Sequence, residues 1–218
     1  TWNFTDQGVP VYLYGEVAHY TFTQPGYYVI TLNVSDAAGN WAVDVINITV
    51  KDVTPPVITI ISPENNTITN QSITLVYFVY DNFDDIVNIT VVGPDNNTVY
   101  SDEGGYSITI NATDKAGNNV SKTIYFVIDK TKPIIIILSP ANGTITNQNV
   151  TLIYSLTDNF DDSENIRVNI TNGTVYSDEK NYTVIVVATD RANNTNQKTV
   201  WFIIDKTLPN IITVSYTH

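Results

Sequence analysis

The chain has 218 residues, with 22 acidic and 10 basic side chains and a formal net charge of -12 at pH 7. Such an excess of negative charge repels phosphate backbones and anionic lipid surfaces, so we expect no nucleic-acid partner. The chain contains no cysteine, which excludes disulfides and thiolate chemistry, and its longest apolar run, residues 133–140, is too short to cross a bilayer. We therefore expect no membrane span in this segment.

Short β-branched runs, punctuated by Gly, Asn, Asp and Pro, extend along the whole chain. This pattern favours many short strands, and no stretch keeps an apolar period of 3.6 residues. The sequence therefore predicts an all-β fold.

The most regular predicted element is a strand that enters a tight turn. It occurs three times, as YVITLNVSDAAGN, YSITINATDKAGN and YTVIVVATDRANN, at residues 28–40, 106–118 and 182–194. The alternation of apolar and polar residues predicts a strand with one buried and one wet face. The turn needs a residue that tolerates a positive φ, which Gly39, Gly117 and Asn193 supply.

Longer repeats divide the chain into segments. The second and third copies share DNFDD, at 81–85 and 158–162, and the linkers DVTPP, DKTKP and DKTLP begin at residues 52, 129 and 205. The spacing of about 76 residues suits a small domain. We predict a partial domain at 1–51, repeats at 52–128 and 129–204, and, at 205–218, the first strand of a further repeat or a strand exchanged with a neighbouring subunit.

The first segment carries TWNF at residue 1, AHYTFTQPGYYVITLNVSDAAGN at residue 18 and NITV at residue 47, and it resembles the second half of a PKD domain. It departs from that family's pattern at Asn3 and Thr5, where the family usually has Asp and Gly. The later segments, with Asp-x-Thr-x-Pro linkers and motifs of the Ala-Thr-Asp-x-Ala-Gly-Asn type, resemble the bacterial and archaeal Ig-like repeats of large cell-surface proteins. These resemblances imply tandem immunoglobulin-like β-sandwiches in an extended rod, with Tyr28, Tyr106 and Tyr182 placed as tyrosine corners.

Acidic residues are predicted to converge where two modules meet. In an immunoglobulin-like sandwich, the linker, the loop between the second and third strands and the turn after the sixth strand share one end. The topology gathers two groups, Asp52, Asp81, Asp84, Asp85 and Asp114 in the second module and Asp129, Asp158, Asp161, Asp162 and Asp190 in the third. The preceding SDE turn, with Asp102 and Glu103, is expected to face the second group.

Two interpretations of these groups remain open. Several carboxylates at one seam would raise one another's pKa unless a cation joined them, and hard oxygen ligands suit Ca²⁺, which takes six to eight oxygens. Calcium would then stiffen the seams between modules. Alternatively, the aspartates cap turns by accepting hydrogen bonds from backbone amides, and Lys130 and Lys132 neutralise part of the second group.

Asn-x-Ser/Thr triplets occur fifteen times, whereas random order would give roughly five. The excess predicts an exposed surface that carries N-linked glycans. The predicted sites are Asn3, Asn33, Asn47, Asn65, Asn70, Asn88, Asn96, Asn111, Asn119, Asn142, Asn149, Asn169, Asn172, Asn181 and Asn193.

No catalytic motif is evident in the sequence. The only histidines are His19 and His218, and the chain has no Gly-x-Ser-x-Gly elbow, phosphate-binding glycine loop or His/Cys cluster. Trp2, Trp41 and Trp201 could form a sugar-stacking platform, but their strand positions favour packing in the cores. We therefore predict that the segment is not an enzyme.

The predicted function is that of a structural or interaction segment of an extracellular, cell-surface or filament-forming glycoprotein, such as an archaeal surface layer. The modules would act as a rigid glycosylated spacer. The partners would be copies of the chain or other surface proteins, with strand exchange through residues 210–217 as one route. An adhesin or carbohydrate-binding module, or an accessory region of a secreted hydrolase, is the alternative.

Overall fold

A computed structural model describes residues 1–212, which form an all-β structure with two short 3-10 helices, Ile86–Asn88 and Ser163–Asn165. The strands of the described residues are β1 Trp2–Asp6, β2 Val9–Leu13, β3 Gly26–Ser35, β4 Trp41–Val50, β5 Val57–Ser62, β6 Thr67–Thr69, β7 Ile73–Thr74, β8 Val76–Tyr80, β9 Thr90–Val92, β10 Val99–Tyr100, β11 Gly104–Thr113, β12 Asn119–Ile128, β13 Ile134–Ser139, β14 Thr144–Thr146, β15 Val150–Thr151, β16 Ile153–Thr157, β17 Arg167–Val168, β18 Val175–Tyr176, β19 Lys180–Thr189 and β20 Thr195–Ile204. The predicted all-β, immunoglobulin-like fold is confirmed.

The chain forms two compact units. Unit 1 comprises Thr1–Pro63, Leu75–Thr98 and Ser107–Ile124. Unit 2 comprises Glu64–Thr74, Val99–Tyr106 and the chain from Tyr125 onward. Because residues of the middle repeat contribute to both units, the domain boundaries expected at residues 52, 129 and 205 stay predictions.

Unit 1 contains a four-stranded antiparallel sheet in the order β2-β1-β3-β4. Elsewhere in this unit, β5 pairs with β8 and β9 pairs with β11.

The turn between β3 and β4 places Gly39 at a φ of 84°, and the matching turns place Gly117 at 92° and Asn193 at 70°. The three residues predicted to have a positive φ are therefore confirmed.

Unit 2 contains a sandwich formed by the sheet β14-β20-β19-β17 and the pair β13-β16. Its core includes Leu152, Val186 and Phe202, none of which exposes any surface to solvent. The ring of Phe202 stacks on Tyr182 with centroids 4.9 Å apart and meets the edge of Tyr176 at 5.4 Å. In the same unit, β6 lies parallel to the end of β12, and β7 pairs with β10.

Three tyrosines, each near the start of a long strand, form a hydrogen bond with the chain just before that strand. The hydroxyls of Tyr28, Tyr106 and Tyr182 each donate to the backbone carbonyl four residues earlier, at 2.9, 2.8 and 3.2 Å. This is the hydrogen bond that defines a tyrosine corner. The three copies of the strand therefore share their corner as well as their turn.

The tryptophans do not all lie in the cores. Trp2 lines a cavity of about 220 Å³ beside the first sheet. Trp41 and Trp201, however, are 72% and 45% exposed, so the prediction of core packing is wrong for both. In β20 the alternation turns Val200 and Phe202 into the core and leaves Trp201 on the outward side.

Candidate metal centre

The first acidic cluster consists of Asp52, Asp84 and Asp114. Asp52 lies in the linker before β5, Asp84 lies in the loop after β8, and Asp114 directly follows β11. Each presents a carboxylate oxygen within 4.8 Å of the others. The linker, the DNFDD loop and the turn after the long strand therefore meet at one place.

The second acidic cluster consists of Asp129, Asp158 and Asp161, and their carboxylate oxygens also lie within 4.8 Å of one another. Asp129 directly follows β12, whereas the other two belong to the loop after β16. Asp129 and Asp190, which follows β19, expose no surface, and Asp161 is 5% exposed. The second cluster is therefore more deeply buried than the first, in which only Asp114 is buried.

Most of these aspartates use one carboxylate oxygen to cap a turn. Oδ1 of Asp129 accepts the Thr131 amide at 3.0 Å, and Oδ1 of Asp158 accepts the Phe160 amide at 3.0 Å. Oδ1 of Asp190 accepts a backbone amide at 2.7 Å, and the equivalent residues of the second repeat form the same bonds. Turn capping is therefore present, and it uses Oδ1 of each of these carboxylates, while Oδ2 of Asp114 accepts the side-chain amide of Asn118 at 2.8 Å.

The second carboxylate oxygens are the unusual feature. Across residues 1–212, six buried side-chain oxygens have no hydrogen-bond partner, and one of them belongs to Asp6. The other five are the Oδ2 atoms of Asp52, Asp81, Asp129, Asp158 and Asp190. All five residues are ones that the sequence nominated as cation ligands. A buried carboxylate oxygen without a partner is costly, so these positions favour a cation or a proton.

One residue of the second acidic cluster, Asp129, has a raised pKa. Burial raises the pKa of Asp129 to about 6, and the negative charges of Asp158, Asp190 and Glu103 act in the same direction. One bound proton at this place offsets part of the repulsion among the carboxylates.

Lowering the pH from 7 to 5 is therefore expected to stabilise the cation-free protein. The pKa of Asp129 is raised in the folded state, so its stabilising effect is complete below the unfolded value near 3.8 and is lost as the pH rises through about 6. We expect the free energy of unfolding to be about 1 kcal/mol larger at pH 5 than at pH 7 from this group. Urea unfolding in the presence of a chelator measures the difference, and Asp129→Asn is expected to abolish it. If the free energy of unfolding differs between pH 5 and pH 7 by the same amount in Asp129→Asn, other groups cause the effect.

Glu103 faces the second acidic cluster, as expected from the SDE turn. It accepts hydrogen bonds from the Thr131 hydroxyl at 2.8 Å and the Lys130 amide at 3.2 Å, and it contacts the side-chain amide of Asn159. The hydrogen bond from Thr131, followed by the other donors, lowers the pKa of Glu103, although desolvation opposes them. In the first repeated strand Pro25 holds the matching position, so the first acidic cluster lacks this carboxylate.

Arg191 supplies the cation that pairs with the second acidic cluster. Its backbone amide donates to Asp161 Oδ2 at 2.8 Å, and its guanidinium pairs with Oδ1 of the same carboxylate. Lys130, which was expected to neutralise an aspartate, instead donates from its ammonium to a backbone carbonyl at 2.6 Å. Lys115 stands in the place of Arg191 in the second repeat, and its backbone amide reaches Asp84 at 3.1 Å.

Two asparagines that were not among the predicted site residues bond the turns to the linkers. The side-chain amide of Asn118 donates to the Asp52 carbonyl at 3.3 Å, and that of Asn194 donates to the Asp129 carbonyl at 2.8 Å. Burial alone would raise the pKa of Asp114, but hydrogen bonds from Asn118 and neighbouring amides outweigh it and lower that pKa. The repeated Asn at the end of the motif was the available signal.

Four of the predicted ligands, Asp81, Asp85, Asp162 and Asp190, are not among the six residues of the two acidic clusters. Asp85 and Asp162 are exposed at the starts of the two 3-10 helices, and neither caps its helix through the side chain. Asp81 and Asp190 contribute buried Oδ2 atoms, as described above. The assignment of all ten residues as cation ligands stays a prediction.

None of the fifteen asparagines of the Asn-x-Ser/Thr triplets is buried. Twelve are exposed, and Asn3, Asn33 and Asn70 are partly exposed. Glycosylation requires an accessible asparagine, which all fifteen residues provide, although the Nδ2 atoms of Asn169 and Asn172 donate to backbone carbonyls at 2.9 and 3.0 Å.

Two protein-family models match separate parts of the chain. Residues 1–50 match the PKD domain. Residues 95–179 match the bacterial Ig-like domain (group 3). The predicted resemblance to a PKD domain followed by Ig-like repeats is therefore confirmed. Domains of these kinds are typically extracellular and non-catalytic, and the matches indicate an extracellular adhesion or structural module.

Several solved structures are similar at low identity. The protocadherin gamma B4 extracellular domain is 12% identical with a TM-score of 0.38, covering 93% of this chain and 43% of that chain. Protocadherin gamma B2 extracellular cadherin domains 3-6 are 11% identical with a TM-score of 0.38, covering 94% and 68%. The Bacteroides ovatus protein SGBP-B, in complex with a mixed-linkage heptasaccharide, is 10% identical with a TM-score of 0.20, covering 94% and 60%.

No curated protein matched the sequence. Among residues 1–212, no helix is long and apolar enough to cross a membrane. Within the segment predicted for strand exchange, Ile211 and Ile212 are exposed and outside any strand, and residues 213–217 lie outside the described range.

Proposed function

We propose that this chain is a structural and interaction segment of an extracellular, cell-surface or filament-forming glycoprotein. Its Ig-like modules act as glycosylated spacers, and its two acidic clusters bind Ca²⁺ and stiffen the joints at the linkers. The partners are copies of the chain or other surface proteins. Strand exchange through residues 210–217 remains one route for such contacts.

The buried, unpaired Oδ2 atoms of Asp129, Asp158 and Asp190 carry the calcium proposal. Their other oxygens are held by backbone amides, so the free oxygens are fixed in place before any ion arrives. Glu103 adds a further carboxylate beside them, and backbone carbonyls and water can complete a shell of six to eight oxygens.

The chemistry of the ligands favours Ca²⁺ over other common ions. Every candidate side chain is a carboxylate, which disfavours zinc and copper, and Ca²⁺ tolerates a less regular shell of oxygens than the octahedral shell that Mg²⁺ requires. Because Arg191 already occupies Asp161, we assign binding in the second acidic cluster mainly to the other aspartates. Among the described residues, the second repeat has only two buried, unpaired Oδ2 atoms, those of Asp52 and Asp81, whereas the third has three. The first acidic cluster also lacks a counterpart of Glu103, so its affinity is expected to be lower.

Residue-resolved NMR tests the proposal directly. Adding up to about 10 mM Ca²⁺ to chelator-treated protein is expected to shift the amide signals of Thr131, Phe160 and Asn194, with a Kd on the order of 10⁻⁴ to 10⁻³ M. The matched control is Asn40, whose backbone amide donates to the carboxylate of the exposed Asp36 in the same kind of turn. Unchanged signals at the three reporters, or equal shifts at Asn40, would contradict a specific site.

Glycosylation rests on the number of triplets and on the absence of burial at all fifteen asparagines. Glycans on strand faces and turns would also keep exposed sheet edges from pairing with other chains. The intact mass of protein from its native source measures glycan occupancy.

A further inference from the structure

The turn that contains Asn142 is locked to a strand through its own side chain. Asn142 Oδ1 accepts the backbone amide of Trp201 at 3.0 Å, and the Gly143 amide donates to the Trp201 carbonyl at 2.8 Å. The Thr144 hydroxyl donates to the Ala141 carbonyl at 2.7 Å, and Gly143 adopts a φ of 84°. The Asn-Gly-Thr triplet is therefore held rigidly beside Trp201.

The same arrangement occurs at Asn65 in the preceding repeat. Asn65 Oδ1 accepts the Tyr125 amide at 2.8 Å, and the Asn66 amide donates to the Tyr125 carbonyl at 2.7 Å. The Thr67 hydroxyl donates to a carbonyl three residues earlier at 2.7 Å, and Asn66 adopts a φ of 67°. An aromatic residue thus accompanies the triplet in both repeats.

The two aromatic residues whose backbones bond these turns both have exposed side chains. Trp201 is 45% exposed and Tyr125 is 54% exposed, although large aromatic rings gain most from burial. A Cβ atom at Gly143 would lie 3.2 Å from Trp201 Cζ2, so the indole lies directly over the middle residue of the triplet. Among residues 1–212, the Nδ2 atoms of Asn65 and Asn142 donate no hydrogen bond, which leaves them free to carry a sugar.

We propose that Asn142 and Asn65 carry N-linked glycans whose first sugar ring packs on the exposed faces of Trp201 and Tyr125. This inference rests on the proposed glycosylation and adds its place and its physical role. The C–H face of a pyranose is apolar and covers an aromatic face, while its hydroxyls stay in water. The packing accounts for two large rings on the outward sides of β12 and β20.

Two further triplets provide an internal comparison. Asn96 and Asn172 form the same kind of turn, and their Oδ1 atoms accept the amides of Tyr77 and Tyr154 at 3.0 Å. Here, however, the Tyr154 ring is buried and both tyrosine hydroxyls donate to backbone carbonyls. Nδ2 of Asn172 also donates to the Tyr154 carbonyl at 3.0 Å. A glycan at Asn172 would therefore have no open aromatic face beneath it, whereas Tyr77 beside Asn96 is partly exposed.

The test uses glycosylated full-length chain from the native secretory route and the variants Trp201→Ala, Asn142→Gln and the double variant. We expect glycan at Asn142 to raise Tm by about 2–4 °C in the parent and to have no effect on Tm in Trp201→Ala. The ring protons of the first sugar at Asn142 are expected to shift upfield in NMR spectra, and to lose that shift in Trp201→Ala. The sugar at Asn172, where occupied, is expected to show no such shift.

The outcomes separate the two proposals. Absence of glycan at all fifteen triplets would overturn the proposed glycosylation itself. Glycan at Asn142 with unshifted sugar protons, and with the same Tm effect in the parent and in Trp201→Ala, would overturn the stacking and leave glycosylation intact. Because Trp201 is an exposed residue, its replacement by alanine is expected to leave the fold in place.

Discussion

Replacing Asp129 by asparagine is expected to remove most of the rise in Tm that Ca²⁺ causes. At about 10 mM Ca²⁺ and a Kd on the order of 10⁻⁴ to 10⁻³ M, binding adds roughly 1.5–3 kcal/mol to the free energy of unfolding. For a chain of this size the corresponding rise in Tm is about 3–10 °C. In Asp129→Asn the amide oxygen can still cap the turn, but the buried negative charge that would attract the ion is lost.

Without Ca²⁺, the same substitution is not expected to lower Tm. Removing a buried carboxylate that faces other negative charges is expected to leave Tm unchanged or higher at pH 7 in the presence of a chelator. The matched control is Asp162→Asn, because Asp162 is exposed and outside the cluster. Thermal unfolding with and without Ca²⁺ checks both effects. An equal response to Ca²⁺ in parent and Asp129→Asn would argue against an ion at this place.

Truncation of Phe202 to alanine is expected to lower the free energy of unfolding of its sandwich by about 3–5 kcal/mol. Phe202 exposes no surface, and its ring stacks on Tyr182 and meets the edge of Tyr176, so truncation leaves a cavity between both sheets. Phe126 occupies the matching place in the preceding repeat, where its ring stacks on Tyr106 at the same 4.9 Å, and its truncation is expected to cost a similar amount.

Chemical denaturation measures this loss. Ile145→Ala is the matched control, since Ile145 is 68% exposed in the neighbouring strand β14 and its truncation is expected to cost well under 1 kcal/mol. A loss below about 1 kcal/mol for Phe202→Ala would mean that the core tolerates the cavity or that the sandwich is held mainly elsewhere.

The sequence predicted the parts of the structure that follow from alternation and topology. Gly39, Gly117 and Asn193 were placed in turns because each turn needs a positive φ, and the structure has this geometry at all three. Asp52 and Asp114 are 62 residues apart in the chain, yet the strand order of an immunoglobulin-like sandwich brings their oxygens within 4.8 Å. Both predictions depend on backbone conformation and strand order, and neither requires the direction of a side chain to be known.

What the sequence did not predict depends on side-chain direction. The pairing of Arg191 with Asp161 requires a particular rotamer in one repeat, whereas the aligned Lys115 makes only a backbone contact with its aspartate among the described residues. Trp201 was assigned to the core because its strand was recognised, but a shift of one residue in the alternation decides which face it takes. Neither outcome can be read from residue type and spacing alone.

In Asp129, Asp158 and Asp190 one carboxylate oxygen caps a turn and the other has no partner among residues 1–212. This difference determines how a bound ion would exchange with solvent. Backbone amides hold one oxygen of Asp129, Asp158 and Asp190, so the loops have a conformation of their own that does not wait for an ion. Loss of the ion would leave the carboxylates unneutralised but would not change the loop conformation. The ion could therefore bind again without a conformational change in the loop. Occupancy would then follow the surrounding calcium concentration promptly and reversibly.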